Sequence, residues 1–237
     1  LNKGLPAGIV IPLSIILSLL CGWINGFITV KGKIAAFLTT LATMNIYRGI
    51  AQTLTSGRTV SIKLKWLTNL FGNGTVFGII PTPVVIMLVF FVIALFLFNH
   101  TKLGFYCRCI GGNEEAAKVA GIAVGRIKMI GFTMMGFCAG IAGLILSGLM
   151  NAGMPDIGGD LAMDAISAAV LGGTAISGGL GTMWGTLGGT LIMAILNTGL
   201  SLLGAQSQVQ LLVKGFVIIL AILMDNALKS RKMVVKD

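Results

Sequence analysis

Charged side chains are scarce in this chain of 237 residues, where Asp, Glu, Lys and Arg together make up 10%. Soluble domains carry about 25%. With 56% hydrophobic residues and a mean hydropathy of +0.98, the composition excludes a soluble enzyme, a disordered tail and a secreted disulfide scaffold. It belongs to a polytopic membrane protein. Acids are the rarest charge, 7 against 17 Lys and Arg. Glu114-Glu115 is the only adjacent acidic pair, so neither a glycoside-cleaving carboxylate pair nor a proton relay has a candidate. The single histidine, His100, has no second ligand in sequence and reads as a span-end residue. Cysteine is also sparse. Cys21 and Cys138 lie in apolar runs as small packing residues, and Cys107-Arg108-Cys109 is a C-x-C without a second Cys or His cluster, so free thiols are expected and no metal site. The phosphate-loop pattern G-x-x-x-x-G-K-[ST] is missing as well, so the chain is not expected to bind ATP itself. Leu1 opens the chain without a charged n-region and a small-residue cleavage site, and a missing N-terminal portion is expected.

Present instead are long apolar runs at 8–30, 34–54, 77–98, 129–150, 183–203 and 209–226, with a shorter one at 161–177. About 20 apolar residues span a bilayer. The fold class is therefore all-α, an integral membrane bundle of about seven spans, one of them short and interrupted by glycine. The 34 glycines are about twice the usual 7% share. Small-xxx-small spacing at Gly22/Gly26, Gly136/Gly140 and Gly181/Gly185/Gly189 predicts close helix packing.

The net charge of +10 lies between the apolar runs, where it sets orientation and does not mark a nucleic-acid surface. Placing 99–128 in the cytoplasm and alternating through seven spans puts Lys31, Lys33, Lys102, Arg108, Lys118, Arg126, Lys128, Lys229, Arg231, Lys232 and Lys236 inside. Lys3, Arg58, Lys63 and Lys65 fall outside, the expected asymmetry. A re-entrant 161–177 would reverse the C-terminal tail, so this segment is expected to cross. Asp164 lies within it, and an acid in a span marks a functional site by default. Arg48 and Lys214, at comparable depth, are candidate partners, with Arg48 preferred because a guanidinium can make two parallel bonds to a carboxylate.

The 99–128 stretch contains more than a connection. Asn113 suits an N-cap, Glu114 and Glu115 complement a helix dipole in the first turn, and Gly121 suits a left-handed stop. A two-turn helix over 113–120 follows, with Ala116, Val119 and Ala120 on one small apolar face. So short a helix needs a surface. That surface is either its own protein or a groove on a cytoplasmic partner.

GGNEEAAKVAGI at 111–122 resembles the cytoplasmic coupling motif of sugar-importing ATP-binding-cassette permeases, the ribose-type branch of a family that includes branched-chain amino-acid permeases. AAFLTTLATMNIYRGIA (35–51), LGGTAISGGLGTMWGTLGG (171–189) and LNTGLSLLGAQSQVQLLVKGFVIILAILMDN (196–226) extend the resemblance over essentially the whole chain. It implies one permease domain over 1–237, incomplete at its N-terminus relative to the family, in the bacterial inner membrane with the C-terminus cytoplasmic. Further spans with a Gly-rich polar motif precede this region in the family, and Ala162 stands where relatives commonly have Glu. The implied partners are a cytoplasmic ATPase that consumes the ATP, a periplasmic sugar-binding protein and a second permease subunit, identical or not. Asn113, Glu114, Glu115, Ala116, Ala117, Ala120 and Gly121 would couple to the ATPase. Asn25, Thr39, Thr40, Asp164, Ser167, Thr174, Ser177 and Asn197 are the polar groups expected along the path of a neutral sugar. No residue is expected to be catalytic. The GGT-x-x-S-GG pattern at 172–179 favours the sugar branch. A branched-chain amino-acid permease, an ion-coupled secondary transporter and a non-transporting membrane scaffold are the alternatives. The second would rely on Asp164 and Asp225.

Overall fold

The computed structural model describes residues 7–62, 68–76, 78–175, 178–217 and 219–220, most of them helical. The first helices are α1 (Ala7–Gly32), α2 (Ala36–Thr55), α3 (Thr82–His100), α4 (Lys102–Gly112) and α5 (Glu114–Val119). They are followed by α6 (Val124–Met150), α7 (Gly159–Leu171), α8 (Met183–Leu202) and a last helix, α9, over 207–217. The chain divides into two compact units, one comprising residues up to 97 with 121–157 and the other 98–120 with 158 onward.

In the first unit α1 and α6 run antiparallel. A Cβ on Gly22 would strike the backbone of Phe132 and Gly136, and one on Gly136 the backbone of Ser18 and Gly22. The predicted small-residue seams at Gly22/Gly26 and Gly136/Gly140 are thus real contacts, and only glycine permits them. The pairing brings Lys31–Lys33 to the same end as Arg126 and Lys128, with Val30 against Gly125. At the other end Gly72 lies backbone to backbone on Gly148. There β1 (Val60–Ser61) pairs antiparallel with β4 (Ala152–Gly153), and Gln52 Nε2 donates to Asp156 Oδ1 at 2.6 Å. A second short antiparallel pair joins β2 (Thr75–Val76) to β3 (Ile80–Pro81). The stretches 55–62 and 151–157 therefore share one end of this unit, as the alternation of spans requires.

The second unit is organised by a helical hairpin. Gly172 lies on Gly185 and Gly189 on Ala168, which sets α7 and α8 antiparallel in backbone contact. Gly173, at φ +82°, ends α7. Its N–H donates to Val170 O and that of Thr174 to Ala169 O, at 2.9 and 3.0 Å, the paired bonds of a Schellman stop.

Among the described residues α1 from Gly8, α3, α6 and α8 are long and apolar enough to cross a membrane. α2 matches them in length at 20 residues, but Thr39, Thr40, Thr43, Asn45, Arg48 and Gln52 make it more polar. α7 is shorter than the expected 161–177 segment. Its 13 residues reach about 20 Å at 1.5 Å per residue, against a hydrocarbon core of about 30 Å. The glycines that interrupt this segment end the helix outright. A further difference is α4, which occupies a stretch that hydropathy reads as polar loop. Lys102 and Arg108 lower its average, and Gly104, Gly111 and Gly112 lower its helix propensity. The expected tail at 227–237 lies outside the described residues.

Candidate functional site

The polar centre of the second unit is a part-buried ion pair. Lys214 Nζ on α9 stands 2.9 Å from Asp164 Oδ1 and 3.0 Å from Oδ2 on α7, and Asn197 Nδ2 on α8 donates to Oδ2 at 3.0 Å. Three helices thus contribute one group each. The Lys214 and Asp164 side chains are only 14% and 19% exposed, so each charge would be costly without the other. This corrects the expectation for Arg48: Asp164 is satisfied by Lys214, 50 residues along the chain. Two ammonium contacts and one amide bond occupy three of the carboxylate's roughly four acceptor sites. Because its Nδ2 must face the carboxylate, Asn197 turns Oδ1 away. That oxygen is buried and has no hydrogen-bond partner among the described residues.

The other residues expected along a path divide by unit. Ser167, buried in the hairpin, bonds back to Met163 O, the ordinary use of a helical hydroxyl. Thr174 follows the α7 stop and borders a cavity of about 260 Å³, shared with Phe98, Cys107, Arg108 and the turn from Gly178 to Thr182. Arg108 lies over the Phe98 ring at 5.3 Å, and burial pushes the Cys107 thiol up. Ser177 lies outside the described residues.

In the first unit Thr40 bonds to Ala36 O and Phe37 O, both at 3.0 Å, so its hydroxyl is used locally. Asn25 accepts a long bond from Tyr47, whose hydroxyl also donates to Cys21 O at 3.2 Å. Thr39 is buried with its Oγ1 unpartnered among the described residues, and so is Thr29. Thr29 and Tyr47 were not among the expected polar residues. Neither carries a sequence signal, because a threonine or tyrosine in an apolar helix is ordinary until its neighbours are known.

The short helix is built as its residues dictate. Asn113 Oδ1 accepts from Ala116 N at 3.0 Å, and Gly121 takes φ +82° after the last turn. Lys118 bridges Glu114 at 3.3 Å and Glu115 at 2.9 Å. Its ammonium pKa is raised by the bond to Glu115 and then by that to Glu114. Val119 is 90% exposed, and Ala116 and Ala120 are exposed beside it. Ala117 is only 4% exposed and faces its own protein. The outward face therefore consists of Ala116, Val119 and Ala120, and Ala117 does not belong to it.

Comparison with known proteins gives a consistent set. The family described as branched-chain amino acid transport system / permease component matches residues 1–222. The ribose import permease protein RbsC of Haemophilus influenzae is 40% identical over 232 residues, covering 97% of this chain and 72% of the relative. RbsC of Escherichia coli is 42% identical over 210 residues, 86% of this chain and 64% of the relative. The L-arabinose transport system permease protein AraH of E. coli is 36% identical over 209 residues, 88% and 63%. The chain thus spans just under two thirds of the two E. coli relatives. No solved structure matches.

Proposed function

The chain belongs to the branched-chain amino acid transport system / permease component family, and from that membership we propose that it is the permease subunit of an ATP-driven importer of a monosaccharide such as ribose. The observation that carries this reading is the identity to relatives named for ribose and arabinose import. The capped helix α5, with three exposed apolar side chains on one face, supports it. On this reading Ala116, Val119 and Ala120 enter a groove of a cytoplasmic ATPase. Glu114, Glu115 and the cap Asn113 hold the helix in shape.

Transport then proceeds by alternating exposure of a path to the two sides of the inner membrane. A periplasmic binding protein delivers the sugar, and a second permease subunit completes the path. The chain supplies no catalytic group, and hydrolysis of ATP belongs to the partner. The Asp164–Lys214 pair keeps a polar patch inside the bundle with no net charge, which suits a neutral polyol. Asn197 offers a buried oxygen atom beside that patch. The end bearing Lys31–Lys33 and Lys128 is cytoplasmic, following the bias of basic residues.

Cells that express the chain with its ATPase and binding protein test this directly. Ribose should accumulate and leucine should not, and the ATPase should co-purify with the permease. Accumulation of leucine alone would transfer the chain to the amino-acid branch. Ribose uptake that follows a proton or sodium gradient without ATP would replace the reading with an ion-coupled transporter.

A further inference from the structure

The second unit contains a junction made of backbone alone. Gly111, one residue from the end of α4, lies against the turn that joins α7 to α8. A Cβ on Gly111 would strike Gly179 N, and would stand 2.9 Å from Gly179 Cα and 3.1 Å from Gly178 C. In the other direction, a Cβ on Gly179 would stand 2.8 Å from Gly112 N and 3.0 Å from Gly111 C. Three glycines, 111, 178 and 179, permit this approach, and no side chain cushions it.

Both partners in the junction are held by backbone hydrogen bonds. The turn is closed on itself, with Ala175 N donating to Leu180 O and Gly178 N to Ala175 O, both at 3.0 Å. Beyond it, α7 and α8 touch backbone to backbone at Gly172/Gly185 and Ala168/Gly189. Their far part holds Asp164 and Asn197. On the other side, α4 runs through Asn113 N–H, bonded to Cys109 O at 3.1 Å, directly into the cap of α5. Close-packed contacts transmit displacement because they have no slack to absorb it.

We propose that Gly111, Gly178 and Gly179 form the joint that transmits movement of α5 to the α7–α8 hairpin, and through it to the Asp164–Asn197–Lys214 cluster. The inference rests on α5 as the ATPase-docking segment. These glycines are positioning residues. Gly111 is the informative one, since it lies in a helix where alanine is the better helix former, and only the turn opposite forbids a Cβ.

The test uses the complete transporter in proteoliposomes, with ribose as probe, and reads ribose moved per ATP hydrolysed. Gly111→Ala should lower that ratio at least tenfold while the ATPase remains bound at the wild-type level. Gly188→Ala, on α8 where a Cβ meets open space, should leave the ratio unchanged. A normal ratio in Gly111→Ala overturns the joint. Loss of ATPase binding in Gly111→Ala also overturns it, because the defect then lies in docking; failure of α5 docking itself is read separately, as unbound ATPase in an α5 surface variant. Should Gly111→Ala not reach the membrane, amide hydrogen exchange on the wild-type complex decides. Peptides covering 109–113 and 178–182 should change protection together between ATP-bound and ATP-free states, and independent changes overturn the proposal.

Discussion

Lys214 shows how little of a side chain's role is set by its own segment. Alone on α9 it is a lysine in an apolar helix, where snorkelling to the interface would be its ordinary fate. Opposite Asp164 at 2.9 Å it becomes half of a part-buried ion pair, and removing one partner leaves the other charge uncompensated. Lys214→Met should therefore lower the unfolding temperature of the detergent-purified protein markedly, whereas Lys214→Met with Asp164→Leu should recover most of the loss. A double variant as unstable as the single one would show that the pair does not supply the stability. Asp164 was legible in the sequence as an acid in a span. Its partner was not, because two basic residues at similar depth are equivalent until helix packing chooses between them. At Cys107 the consequence is chemical: burial pushes the thiol up, so it stays protonated and slow to react at neutral pH. In a variant retaining only Cys107, maleimide labelling at neutral pH should be slower than that of free cysteine and should still be rising at the pH where free cysteine levels off; a profile that coincides with free cysteine would show that burial does not raise the thiol.

The helices differ in how far composition reveals them. α1, α3, α6 and α8 follow from apolar length, and the stop after α7 from its paired glycines. α4 does not, because its charges and glycines suit a loop until its packing on the α7–α8 turn is known. The short helix α5 was legible in detail, since cap, dipole and stop all act within a few residues of sequence. Its outward face is read correctly at Ala116, Val119 and Ala120, but Ala117 shows that spacing alone cannot say which alanine meets the body of the protein. The two sites predict opposite outcomes. Ala117→Trp should lower the amount of folded permease, as overpacking a filled site costs about 1–3 kcal/mol. Val119→Trp should leave the fold intact and reduce ATPase co-purification about tenfold or more, and unchanged co-purification would remove α5 from the interface. In the hairpin, Gly189→Val should prevent α7 and α8 from meeting, because its Cβ would strike Ala168 O. The check is the yield of monodisperse protein, and a wild-type yield would contradict the seam.

For the molecule as a whole, the basic bias and the antiparallel packing agree on which termini of the first unit lie together. Cysteine placed at Ser61 in a cysteine-free background should react with an impermeant reagent outside intact cells, and cysteine at Glu115 should not. Labelling of both would break the alternation on which the orientation rests. Orientation serves the central claim, that this permease converts ATP hydrolysis by a docked ATPase into sugar movement. The most direct measurement is uptake of labelled ribose by proteoliposomes holding permease, ATPase and binding protein, with ATP on the ATPase side and no ion gradient. Accumulation above the external concentration, abolished when ATP is replaced by a non-hydrolysable analogue, is the predicted result. Accumulation that persists with the analogue, or that appears only when a proton or sodium gradient is imposed, would contradict it.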